Sequence, residues 1–330
     1  MVFVWFVSAA VLTVFTARKL SLYADVISEK TAMGGMVVGT ILLAGATSLP
    51  EVTTSFSAVM IDNIDIAIGN MLGSNLFNVF ILGALDFYYR KRRLFHLASS
   101  NHKYTASLGF VLMMLVTLAL LVRMDYAIVG IGLDSLLIAA VYIVGMAIIR
   151  KLPAPSLSHE ETADVEETDG DRESISVGHA FAGFTVSALI ILGTGTLLSI
   201  TGDDIAVITG LGSSFVGSFL IAATTSLPEG VSVLAALRLK NVNLAVGAIL
   251  GSNMLNMLIL ALSDVVYRQG SLLADGSGSH ALSAIGGMFL VFVVIWSFMR
   301  KQSPSILVYS IPSLVIIVGY FLVQYMIFTS

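Results

Sequence analysis

Two glutamates, Glu51 and Glu229, stand in the middle of long apolar runs, where a carboxylate is costly and is kept for a purpose. Each belongs to the same five residues, Thr47-Ser48-Leu49-Pro50-Glu51 and Thr225-Ser226-Leu227-Pro228-Glu229, set 178 positions apart. On a helix, Thr47 and Glu51 are four apart and Ser48 and Glu51 three apart, so the three polar groups share one face. Pro50 has no amide hydrogen and clashes with the carbonyl of Ala46. Carbonyls near Thr47 are thereby freed from the helix ladder, and Pro228 does the same near Thr225. The same shift relates Gly73-Ser74-Asn75 and Asn78 to Gly251-Ser252-Asn253 and Asn256. Ser74 with Asn78, and Ser252 with Asn256, are again four apart and offer neutral oxygens from one face.

Together these groups are two carboxylates, several hydroxyls, two amide side chains and freed carbonyls. All are hard oxygen donors, which suit calcium or sodium rather than a transition metal. Two carboxylates neutralise one calcium ion, and smaller sets of neutral oxygens with one carboxylate suit sodium. Without a cation the two charges repel and resist the apolar phase, whereas a filled site does not. Such a site favours obligatory exchange of one cation for another. Helix packing by small residues is the competing explanation. It accounts for Gly69, Gly73, Gly247 and Gly251 but leaves Glu51 and Glu229 unexplained.

Other chemistries find little support. The chain has no cysteine, which removes disulfides and thiolate sites. The histidines His96, His102, His159, His179 and His280 are scattered without a HExxH spacing and are expected at surfaces or interfaces. No cofactor, enzymatic step or nucleic-acid partner is expected.

The elements that must hold these residues follow from composition. The 330 residues are 57% hydrophobic and 12% charged, and apolar stretches of helix length recur throughout, so the partner is a lipid bilayer. Spans are expected at 2–22, 33–59, 64–86, 105–122, 126–149, 177–200, 205–236, 242–265, 282–299 and 305–328. The run from Val2 reads as a first membrane helix, with no cleavable leader standing out. With ten spans, fifteen of the seventeen Lys and Arg residues fall on one side and only Arg123 and Arg268 on the other. The positive-inside rule makes the richer side cytoplasmic and places both termini outside. Five spans per half is an odd number, so the second half enters the membrane upside down. The expected fold is an all-α membrane protein of ten transmembrane helices in two inverted-topology five-helix repeats. The first repeat is 1–150 (motif region 39–86), an acidic cytoplasmic linker is 151–174, and the second repeat is 175–330 (motif region 217–264). The linker reads as a solvated, disordered tether. Asp86 and Asp264, also 178 apart, fall at span ends and are expected at the interface or in a vestibule. Asp134 has no repeat partner and receives no role.

At these residues the chain resembles the sodium/calcium exchanger family of the cation/calcium antiporter superfamily. The paired motifs carry the resemblance, and the ten-span plan extends it over the rest of the chain. The resemblance implies that spans two, three, seven and eight form the ion-binding core, with spans one and six as a sliding, gating pair. It implies calcium at Glu51 and Glu229 with the backbone carbonyls of Thr47 and Thr225. It implies sodium at the Ala44 carbonyl, Thr47, Ser48, Glu51 and Ser74 on the inner side. On the outer side it implies the Ala222 carbonyl, Thr225, Ser226, Glu229 and Ser252. Asn78 and Asn256 flank the centre. Potassium-dependent members carry Asp at one of those positions, and proton/calcium relatives typically carry Asn-Ala-x-Glu in place of Ser-Leu-Pro-Glu. The second repeat departs from the family with Gly247-Ala248 where the first has Gly69-Asn70. The implied activity is an electrogenic sodium-for-calcium antiport by a multi-pass cell-membrane protein, expected as a monomer. A proton/calcium antiporter on the same fold and a calcium-selective channel are the alternatives.

Overall fold

Leucine, isoleucine and valine in runs of more than twenty residues leave the backbone one way to satisfy itself in lipid, and the chain takes it almost throughout. The computed structural model describes residues 1–30, 46–123, 126–151, 175–238, 240–300 and 305–330. Its helices in order are α1 Val2–Lys30, α2 Leu49–Met60, α3 Ile64–Tyr88, α4 Leu94–Leu97, α5 His102–Val122, α6 Leu133–Ile149 and α7 Val177–Thr209. Then come α8 Ser213–Phe215, a π-helical turn Val216–Ile221, α9 Ala222–Thr225, α10 Leu227–Arg238, α11 Val242–Tyr267, α12 Leu272–Asp275, α13 His280–Met299 and α14 Ile306–Phe328. Among the described residues, seven helices are long and apolar enough to cross a membrane: α1, α3, α5, α7, α11, α13 and α14. An eighth crossing is the pair Ser213–Thr225 and Leu227–Arg238, bent by 42°. Helix α6 is apolar but shorter. Residues 33–45 of the expected second span, and the linker 152–174, lie outside the described residues.

Two expected boundaries are corrected. The expected span 126–149 starts only at Leu133, because residues before it form a hairpin of Ala127–Ile128 against Ile131–Gly132. Val129 and Gly130 make its turn, both with positive φ. The expected span 205–236 begins at Ser213, because α7 runs on through Asp203 and Asp204 to Thr209. That helix absorbs its polar residues: Thr201 Oγ1 donates to Leu197 O at 2.6 Å and Asp203 accepts from Asn63 Nδ2 at 2.6 Å. Gly210, at φ 69°, then ends it in the left-handed conformation that favours glycine.

Helix α3 is the most buried crossing element and packs against α2, α11, α13, α14 and the π-helical turn. Its caps are set by sequence: Asn63 accepts from the Ile66 amide, and Asn241 does the same for Leu244 at the start of α11. The approach of α3 to the π-helical turn is backbone on backbone. A Cβ on Gly73 would stand 2.2 Å from Ser218 O, and one on Gly217 would stand 2.8 Å from Ile66 O. By contrast, α1 and α7 pack mainly on each other, joined by Thr13 Oγ1 to Thr194 Oγ1 at 2.8 Å. They leave Phe3, Trp5, Phe15, Val186 and Leu189 exposed for lipid.

Candidate functional site

The Ser-Leu-Pro-Glu sequences interrupt their helices where proline predicts. Ser48 stands as a turn before α2, and Pro50 occupies that helix's first turn beside Glu51. Ser226 separates α9 from α10, whose first turn carries Pro228 and Glu229. Proline has no N–H to lose there, so each break is inexpensive, and each glutamate sits at a helix start that favours negative charge.

Both glutamates are buried, Glu51 at 1% and Glu229 at 4% exposure, and close enough for their charges to act on each other. Ser226 Oγ lies 3.4 Å from Glu51 Oε1, so a serine of the second copy serves the glutamate of the first. Ser74 Oγ lies 3.5 Å from Thr225 Oγ1, again across the copies. Asn78 Nδ2 reaches Ser252 Oγ at 3.5 Å. This grouping crosses the two sets drawn from the resemblance. Among the described residues, Glu51 Oε2, both carboxylate oxygens of Glu229, Ser48 Oγ, Asn78 Oδ1 and Asn256 Oδ1 are buried without a hydrogen-bond partner. Buried oxygens are ordinarily satisfied, and these six all belong to the two motif copies. Ala222 contributes a carbonyl, 3.3 Å from Thr225 Oγ1. Thr47 is half-buried beside Ser48, and Ala44 lies outside the described residues. No group of three or more His, Cys, Asp or Glu side chains gathers among the described residues. A cation here would complete its shell with neutral oxygens.

Three asparagines belong to this centre that spacing did not single out. Asn78 Nδ2 donates to Asn253 Oδ1, and Asn256 Nδ2 donates to Asn75 Oδ1, both at 3.0 Å. Shifting one bond by 178 residues and exchanging the partners gives the other, as a two-fold relation between the copies requires. The repeated Gly-Ser-Asn was the available signal for Asn75 and Asn253. Asn70 is the third: its amide joins Ser55 and Glu51 O in one copy to Thr225 in the other.

Two expectations about placement are corrected. Asp86 and Asp264 lie near the ends of their helices, as expected, but are fully buried within the protein rather than open to a vestibule. Asp86 accepts hydrogen bonds from Tyr309 and Ser313 on α14 and from the backbone at Leu94 and Phe95. Asp264 accepts from Gly132 N at 2.6 Å, Leu272 N at 2.7 Å and the Ser135 side chain. Leu94 matches Leu272 and Ser313 matches Ser135 under the same shift, so each aspartate holds its own copy's short helix and a long helix of the other copy. His280 is not at the surface either. It is fully buried and bonded to Asp65. Asp134 accepts from Ser271 Oγ at 2.7 Å and helps start α6.

Known proteins place this arrangement. The chain is 25% identical over 264 residues to the inner membrane protein YrbG of Escherichia coli (strain K12), covering 76% of this chain and 74% of that one. It is 25% identical over 272 residues to the putative antiporter CaxA of Alkalimonas amylolytica, covering 81% of each. The fold overlaps the crystal structure of the H+/Ca2+ exchanger CAX with a TM-score of 0.66 at 12% identity, covering 98% of this chain and 87% of that one. It overlaps the sodium-calcium exchanger NCX_Mj with a TM-score of 0.57 at 18% identity, covering 98% of both chains. With residues 1–150 and 179–329 both matched, the chain belongs to the sodium/calcium exchanger protein family, a family of multi-pass membrane transporters.

Proposed function

We propose that this cation/calcium exchanger moves calcium against sodium by alternating access. The observation that carries the reading is the pair of buried glutamates, one from each copy, with three of their four oxygens unpartnered among neutral oxygens. Each charge costs roughly 2.5–3.5 kcal/mol in the membrane. The centre therefore changes sides readily only when cations offset both charges. Calcium binds Glu51 and Glu229 with the carbonyls of Thr47 and Thr225. Sodium takes one carboxylate with hydroxyls and carbonyls from the set Ala44, Thr47, Ser48 and Ser74, or Ala222, Thr225, Ser226 and Ser252. Asn78 and Asn256 are held by Asn253 and Asn75, so their free oxygens flank the ion.

The ten-span plan with inverted five-helix halves fits this reading, as do the crossed bonds of the asparagines. In it both termini lie outside and the acidic linker lies in the cytoplasm. The α1–α7 pair, lipid-exposed and joined to the core mainly through the α2 region, is suited to slide as the gate.

A proton/calcium antiporter is the second reading, favoured by the fold overlap with CAX and by the name of CaxA. Ser48-Leu49-Pro50-Glu51 in place of Asn-Ala-x-Glu opposes it. Radioactive calcium uptake into vesicles, with sodium, proton and potassium gradients varied separately, decides between them. Uptake that requires outward sodium supports the proposal. Uptake driven equally well by protons without sodium rejects it, and calcium current without a counter-ion identifies a channel.

A further inference from the structure

The departure of the second copy at Ala248, where the first has Asn70, has a physical reading. Asn70 is fully buried on α3 and touches both copies of the motif. Its Nδ2 donates to Ser55 Oγ at 3.0 Å and toward Glu51 O at 3.4 Å. Those two acceptors fix the amide so that Oδ1 faces α9, where Thr225 Oγ1 donates to it at 3.2 Å.

The Thr225 hydroxyl has one proton and four oxygens within reach: Asn70 Oδ1, the Glu51 carboxylate, Ala222 O at 3.3 Å and Ser74 Oγ at 3.5 Å. Ala222 O has two lone pairs, and one already accepts from Ser226 N at 3.0 Å. If Thr225 donated to Ala222 or to Glu51, an oxygen the cation needs would be used and the hydroxyl proton would occupy its space. Donation to Asn70 leaves the Ala222 carbonyl and the Thr225 oxygen both open as ligands. We infer that Asn70 is a positioning residue that takes the Thr225 proton and so readies the Ala222–Thr225 half of the centre for sodium. This role presupposes the sodium-coupled exchange proposed above and makes its two halves unequal. In the second copy the device is missing as a unit: Ala248 replaces Asn70 and Val233 replaces its anchor Ser55. A methyl group cannot accept a proton, so Thr47 receives no equivalent orientation from position 248.

The test uses the purified full chain, with two readouts. One is the rise in unfolding temperature with added sodium; the other is half-saturation for sodium and for calcium in vesicle exchange. Asn70→Ala raises the half-saturating sodium concentration roughly fivefold to tenfold, as expected for one buried hydrogen bond. Calcium-for-calcium exchange, which uses the Thr225 carbonyl rather than its hydroxyl, keeps its half-saturation within about twofold. In a Thr225→Val background, Asn70→Ala adds less than about twofold, because its effect runs through that hydroxyl. If Asn70→Ala does not fold, Ser55→Ala releases the amide while keeping it and shifts sodium in the same direction by a smaller factor. Equal shifts for sodium and calcium, additive effects with Thr225→Val, or unchanged sodium half-saturation would each overturn the role. Absence of any sodium effect on the wild-type chain overturns the proposed exchange instead, and the two failures are thereby told apart.

Discussion

His280 Nε2 meets Asp65 Oδ1 at 2.9 Å across 215 residues of sequence, with the imidazole fully buried. The same carboxylate oxygen accepts from Ser277 N at 2.8 Å. Shifted by 178 residues, the same positions meet with the copies exchanged: the His102 ring lies beside Asn243, whose oxygen accepts from Ser99 N at 2.7 Å. The scaffold is repeated while its chemistry is not, since Asp65 at one end is Asn243 at the other. One imidazole faces a carboxylate and the other a neutral amide.

Asp65→Asn makes the two contacts alike. It exchanges a charged acceptor of the Ser277 amide and the His280 ring for a neutral one. The expected destabilisation of the variant is about 1–2 kcal/mol, read from chemical or thermal unfolding. Wild-type stability would show that charge plays no part in the contact.

Removing Asp86 or Asp264 is expected to harm folding more than any change at the ion centre. Asp86→Ala leaves the Tyr309 and Ser313 hydroxyls of α14 and the Leu94 amide of α4 without this acceptor, while Phe95 N keeps Tyr309 Oη at 3.1 Å. Each orphaned buried donor costs about 1–3 kcal/mol, so the variant should lose most of its folded yield. Ser313→Ala and Ser135→Ala remove one donor each and should cost about 1 kcal/mol, similarly to one another, because they are equivalent in the two copies. Size-exclusion profiles and unfolding temperatures measure both, and a wild-type profile for Asp86→Ala would refute the anchoring role.

Glu51→Gln and Glu229→Gln reverse that pattern. Neither carboxylate supports the fold through a cationic partner among the described residues, and Glu229 has no hydrogen bond at all there. Each variant should fold with unchanged or raised stability, since a buried charge is removed. Calcium exchange should fall by about a hundredfold or more, corresponding to several kcal/mol for one carboxylate ligand. Normal calcium flux from either variant, measured in vesicles, would overturn the assignment of the centre.

Residues within one motif were legible because spacing along a helix fixes which of them share a face. Thr47, Ser48 and Glu51, the helix breaks at Ser48 and Ser226, and the paired character of the site all follow from that rule. What spacing cannot reveal is which residue of the other copy arrives opposite. Ser226 beside Glu51, Asn253 beside Asn78 and Ser313 beside Asp86 all join residues more than 170 positions apart. The equivalence of His102 and His280 was present in the sequence, but it lies outside the motif regions and gains meaning only once Asp65 and Asn243 stand opposite them. The hairpin before α6 was hidden because its residues, Ala127 to Gly132, are as apolar as the helix that follows.

The acidic segment 156–174 is expected to be dispensable for transport. It falls between the two copies and contributes no residue to either motif. It is rich in acids and poor in apolar residues. A chain lacking these residues, joined by a flexible spacer of similar length, should keep sodium-dependent calcium flux within about threefold of wild type, since such a spacer still spans the gap. Loss of flux with a normally folded product would assign the segment a direct role.

Protons should compete with calcium at the centre. With no cationic side chain among the described residues to offset Glu51 and Glu229, whichever cation is at hand neutralises them, and at low pH that cation is the proton. Lowering pH from about 8 to about 6 should therefore raise the calcium concentration needed for half-maximal sodium-dependent exchange and leave the maximal rate nearly unchanged. Saturating calcium should restore the flux at the lower pH. A fall in maximal rate that calcium cannot restore would place the proton's action outside this centre.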